Sequence, residues 1–138
     1  NAPGESQSGS GLSNYDGFGT PIPGVTFQTV YFRFDQSRIE STETGKLDAI
    51  ANYLKSNPGT GVVIEGNCDA RGSEEYNRAL GERRALTAQE YLLELGIAPS
   101  RMKTLSYGKE KLVALGNTEE DHMKNRRDDF VAVKLLNP

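Results

Sequence analysis

Tryptophan is absent from this chain of 138 residues, cysteine and histidine occur once each, and the formal net charge is only −3. Each shortage excludes something. A single cysteine, Cys68, has no partner for an internal disulfide. Together with the single histidine, His122, it offers no paired spacing for zinc. With little net charge and aromatic residues at 8%, the chain has neither the basic footprint nor the stacking platform that nucleic acid requires. No apolar run approaches the ~20 residues of a membrane-spanning helix. What is there, 36% hydrophobic and 25% charged residues, suits one globular domain built on an ordinary core.

Catalytic and cofactor patterns are missing as well. No serine or cysteine stands in the setting of an activated nucleophile, and no carboxylates form a recognisable acid/base pair. His122 lies in a charged stretch, as a surface histidine would. Asn67-x-Asp69-x-Arg71-Gly72 has the outline of a calcium loop, but Arg71 and Arg78 occupy its fifth and twelfth positions, where oxygen donors are needed. Gly17-Phe18-Gly19 has no strand before it, and no GxxxxGK sequence occurs. The chain therefore reads as non-catalytic, without metal or cofactor.

Residues 1–26 are rich in Gly, Ser, Pro and Asn and lack a hydrophobic period. They read as a flexible linker, with Tyr15, Phe18 and Ile22 the only large apolar groups able to pack locally. The folded domain is expected over residues 27–138. Gln28–Phe34 is rich in β-formers and gives a first strand. A helix start near Ser37 or Ser41 precedes Leu47, Ile50, Ala51 and Leu54, an i, i+3, i+4, i+7 stripe, and Asn57-Pro58-Gly59 ends it. Val62–Glu65 is a short buried strand, Glu74–Leu95 a second helix closed by Gly96, and Met102–Tyr107 a third strand. Glu119–Asn125 forms a short helix and Asp129–Leu135 the last strand. The order β-α-β-α-β-(α)-β predicts an α/β (α+β) fold with helices on one face of a mixed four-stranded sheet.

The most informative stretch is Ile64–Ala85. An apolar strand stops at Glu65-Gly66, and a polar loop with Asp69 and Arg71 closes at Gly72. Ser73 then caps a helix whose first turn carries Glu74 and Glu75. Asn77 and Arg84 are two helical turns apart and share a face. Loop and helix thus bring a carboxylate, an amide and a guanidinium toward one place, a receptor for a ligand that is both cationic and anionic.

YFRFDQSRI at 31–39, GNCDARG at 66–72, YNRALGERRA at 76–85, SYGKEK at 106–111 and KNRR at 124–127 follow one another as in the outer-membrane protein A-like C-terminal domain family. The chain resembles that family from about Tyr31 to Val133, and most closely its peptidoglycan-associated lipoprotein branch. The resemblance implies non-catalytic binding of the peptide stem of peptidoglycan through its diaminopimelate residue. Asp69 would take the ammonium and Arg84 the carboxylate. Asn77, Asp35 and Arg126 would line the same pocket, Arg127 would support packing, and Phe34 and Leu80 would belong to the core. It further implies anchoring of the outer membrane or an envelope complex to the cell wall from the periplasmic side, and a monomeric domain. The membrane would be reached only through an N-terminal anchor not seen in this sequence. A Tol-system protein is the second implied partner. The rival reading is a docking module of a Tol-type, motor or secretion assembly that does not touch the wall, with Asp69 and Arg84 paired at its interface. Two positions depart from the family pattern. Asn67-Cys68 stand where His and a small residue are common, which removes a titrating loop histidine, and Leu112 replaces a frequent proline.

Overall fold

The computed structural model describes residues 15–137. The strands are β1 (Gly19–Pro21), β2 (Val30–Tyr31), β3 (Thr60–Asn67), β4 (Met102–Gly108) and β5 (Arg127–Leu135), and the helices α1 (Thr44–Ser56), α2 (Glu74–Glu94) and α3 (Glu119–Asn125). The sheet is mixed. β3 lies at its centre, parallel to β4 and antiparallel to β5, while β1 and β2 pair with opposite ends of β5's outer edge.

The expected stripe of α1 is buried in full: Leu47, Ile50, Ala51 and Leu54 meet Val62, Ile64 and Phe130 of the sheet and Ala85, Ala88 and Leu92 of α2. α2 starts at Ser73, whose hydroxyl accepts from the Tyr76 amide, so the expected cap is in place. Thr118 and Asp121 form a reciprocal capping box at the start of α3, which satisfies amides that a helix this short would otherwise leave bare.

Three expectations change. The first strand shrinks to Val30–Tyr31 because the chain turns at Arg33–Gln36, with Asp35 in the left-handed region at φ 58°. The sheet gains a strand, because part of the stretch expected as linker pairs with β5. Of residues 1–26, residues 1–14 lie outside the described residues, and from Tyr15 the chain is laid on the sheet. Tyr15 and Phe18 cover Val63, Val133 and Leu135 on the face away from the helices, apolar surface that water would otherwise meet. His122, expected at the surface, is 5% exposed within α3.

One contact positions the site. α2 crosses the end of β3 glycine on glycine: a Cβ on Gly66 would lie 1.8 Å from the Gly81 carbonyl oxygen. Only bare backbone on both elements permits that approach, and it sets the start of α2 directly beside the loop that follows β3.

Candidate ligand pocket

The loop is held at several points before any ligand is considered. The Cys68 amide donates to the Gly108 carbonyl at 2.8 Å, and its thiol donates to the Asn77 carbonyl at 3.2 Å. Burial, above all, pushes that thiol up to about 11, so Cys68 is a small packed group and not a nucleophile. The Asn77 side chain donates to the carbonyls of Arg71 (2.7 Å) and Ser73 (2.9 Å), and Lys109 reaches the Gly72 carbonyl (2.7 Å). Gly72 turns the chain at φ 91°, a left-handed conformation open to glycine at no steric cost.

Between this loop, the first turns of α2 and the turn at Phe34-Asp35 lies a cavity of about 100 Å³. Its walls include Asp35, Asp69, Asn77 and Arg84, so four of the five residues expected from the sequence meet in one place. Arg126 stands behind. Its Nη1 lies 3.6 Å from an Asp69 oxygen, its Nε donates to the Phe32 carbonyl, and its Nη2 pairs with Glu119, but it lines a neighbouring groove and not this cavity. Arg127 donates to the carbonyls of Asn125 and Lys111 and pairs with Asp129. Asn125 ties the loop at Val113 and Ala114. The Asn-Arg-Arg run is thus framework, with only Arg126 touching a pocket residue.

Arg84 is the unusual group. It is 0% exposed, yet no carboxylate among the described residues comes within ion-pair distance of it. Its Nε, Nη1 and Nη2 donate to the carbonyls of Gln36, Asn67 and Arg33, and the guanidinium stands over the Phe32 ring. Three bonds leave two of a guanidinium's five N–H groups. Burial pulls its pKa below the ordinary value, with Cys68, Asp128 and Asp69 opposing. Asp128, fully buried in β5, has no hydrogen bond to either oxygen, and burial raises its carboxyl well above the ordinary value despite Arg84 nearby.

Asp69 is the opposite case. Arg71 donates to it with Nε (3.2 Å), Nη2 (2.7 Å) and its backbone amide (3.0 Å). Burial alone would raise the carboxyl, but these bonds and the Arg71 charge hold it below the ordinary carboxylate value.

The sequence placed Arg71 in the loop but gave neither it nor Tyr76 a role in the pocket, and did not show the exposure of Phe34. Phe34, expected in the core, is 57% exposed at the rim, where Arg71 stacks on its ring at 4.3 Å. Tyr76 donates its hydroxyl to Asp35. Leu80 is buried, as expected, but also lines the cavity.

Residues 31–126 match the family model described as the OmpA family. The chain is 48% identical over 101 residues to a peptidoglycan-associated lipoprotein of Pasteurella multocida, covering 73% of this chain and 67% of that protein. It is 48% identical over 99 residues to one of Pseudomonas putida, covering 72% and 59%. The crystal structure of the peptidoglycan-associated lipoprotein from Burkholderia pseudomallei superimposes with a TM-score of 0.74 at 43% identity, covering 76% of this chain and 89% of that one. The matches thus leave a third or more of each of the two longer relatives without a counterpart.

Proposed function

The chain belongs to the OmpA family, and on that footing we propose that its domain is a non-catalytic receptor for the peptide stem of peptidoglycan, read at the far end of a diaminopimelate side chain. One observation carries the reading: Arg84, a buried guanidinium without a carboxylate partner among the described residues, forms part of the wall of an open cavity. A carboxylate entering there pairs with a charge already stripped of water, so that desolvation cost is borne by the fold and not by the binding event. Asp69 stands in the same cavity as acceptor for the ammonium. Asn77 offers its amide oxygen and Asp35 an acidic rim, while Phe34, Tyr76 and Leu80 supply apolar wall for the methylenes between the two charged ends.

In the cell the domain then acts as a reversible clasp between the wall and whatever lies at the N-terminal end of the protein, on the periplasmic side of the outer membrane. A groove of about 610 Å³ beside the pocket, lined by Tyr31, Arg33, Glu43, Met123 and Arg126, offers a separate face for a protein partner of the Tol type. That groove is what favours docking as an additional role.

The test is a titration with soluble muropeptides differing at one residue. A stem with lysine keeps the ammonium and loses the carboxylate, leaving Arg84 unpaired, and is expected to bind about ten- to a hundredfold more weakly, the ~1–3 kcal/mol of an unsatisfied buried polar group. Equal affinity for the two stems would remove Arg84 from the recognition of the ligand.

A further inference from the structure

The two charged ends of the pocket are not in equivalent states. Arg84 awaits an anion, whereas Asp69 already holds a cation. The fork of Arg71 places Nε on one carboxylate oxygen and Nη2 on the other. The Asp69 side chain is 6% exposed and fixed, while that of Arg71 is 41% exposed, at the mouth, resting on the Phe34 ring. One member of the pair is anchored and the other is free to leave. We propose that Arg71 is an internal stand-in for the ligand's cation, so that the ligand ammonium adds little net affinity and the carboxylate at Arg84 decides which stems are bound. This rests on the reading of the pocket given above.

Binding of the ammonium at Asp69 is an exchange. An ammonium that takes Asp69 from Arg71 makes one charge-assisted contact and breaks another. The bond broken is bidentate and planar, the geometry in which a guanidinium outperforms a compact ammonium. If the ammonium instead binds beside Arg71, it meets a like charge a few ångströms away. Either way Arg71 subtracts from the ammonium's contribution. Arg84 has no such internal competitor: its three bonds go to backbone carbonyls, which do not neutralise it. Selectivity should therefore be lopsided, steep for the carboxylate and shallow for the ammonium. Arg126, 3.6 Å from the same carboxylate, is buried and held by the Phe32 carbonyl and Glu119, so it stays in place and Arg71 is the cation that exchange can move.

Calorimetric titration of the full chain and of Arg71→Gln with three soluble stems decides it: diaminopimelate, lysine (no terminal carboxylate) and 2-aminopimelate (no terminal ammonium). In the unsubstituted protein, loss of the ammonium is expected to change Kd by less than about threefold, and loss of the carboxylate by tenfold or more. In Arg71→Gln the diaminopimelate stem should bind about three- to fivefold more tightly and the 2-aminopimelate stem within about twofold of its former affinity, so the ammonium's worth emerges only there. Arg71→Lys, which keeps the charge without the fork, should fall between, and thermal melts of both variants establish that the loop still folds. A diaminopimelate stem that binds Arg71→Gln more weakly, or an equal gain for both stems, overturns the role given to Arg71 while leaving the pocket's reading intact. A protein that binds no stem, or does not distinguish lysine from diaminopimelate, overturns both.

Discussion

At the scale of single residues, the sheet face away from the helices carries a buried carboxylate that ligand binding does not use. Glu65 of β3 is 8% exposed, and its carboxylate accepts from the hydroxyls of Tyr15 and Tyr107, each at 3.4 Å. Burial raises its pKa above the ordinary 4.5, Asp129 adds to the rise, and Lys111 and the two phenols pull it back only in part. The phenols respond in turn: Tyr15 is pushed up to about 12, first by burial and then by the Glu65 charge. Because the folded protein holds the Glu65 proton more tightly than the unfolded chain does, it binds more protons between the two pKa values. Stability from this group is therefore highest below about 4.5 and is lost as pH rises through the folded value. Glu65→Gln, which keeps an acceptor without the charge, should raise the melting temperature at pH 7. The gain should shrink as melts are repeated toward pH 4. A variant less stable than the parent at pH 7 would mean that the ionised form is the one the two tyrosines favour.

At the scale of elements, the junction of β3 and α2 sets the distance between the two ends of the ligand. Gly66 and Gly81 meet backbone to backbone, and Ser106 of β4 donates to the Arg78 carbonyl at 2.7 Å from the other side. Asp69 lies three residues beyond Gly66 and Arg84 three residues beyond Gly81, so any widening of this crossing moves the carboxylate away from the guanidinium. Gly66→Ala should destabilise the fold near the upper end of the ~1–3 kcal/mol typical of overpacking, because the clash is with helix backbone and not with a side chain that can swing away. Denaturant unfolding measures the loss. Muropeptide titration of the fraction that still folds should show weaker binding even at saturating folded protein. Retained affinity in a destabilised Gly66→Ala would separate the pocket from the crossing that frames it.

At the scale of the whole molecule, what the sequence disclosed follows from the kind of signal each part carries. α1 was legible through its 3.6-residue apolar period, and the start of α2 through the Ser73 cap and the acids Glu74 and Glu75 behind it. The buried face of α2 includes Asn77, Gly81 and Arg84, polar or small residues that no hydrophobic period reveals, and there the motif pattern supplied what periodicity lacked. Asp69, Asn77 and Arg84 could be placed together because loop and helix are contiguous in sequence. The pairing of Asp69 with Arg71 was not legible, since it depends on how a short loop folds back on itself. β1 was missed for a related reason: three residues in a Gly/Pro-rich stretch become a strand only because β5 has a free edge and Val63, Val133 and Leu135 need cover. That cover yields a prediction for the molecule as a unit. A chain beginning at Val25 loses β1, Tyr15 and Phe18, and should be less stable than one beginning at Tyr15 by about 2 kcal/mol, as befits two half-buried aromatics at ~1.5–3 kcal/mol each when fully buried. No residue of this segment lines the ligand pocket. Both chains should therefore bind the same muropeptide within about twofold, at a temperature where both are folded. Equal melting temperatures would make the segment an incidental passenger on the sheet. A loss of affinity without loss of fold would instead show that the covered face and the pocket communicate through β3, the strand that carries Glu65 and runs at its end into Cys68 and Asp69 of the pocket wall.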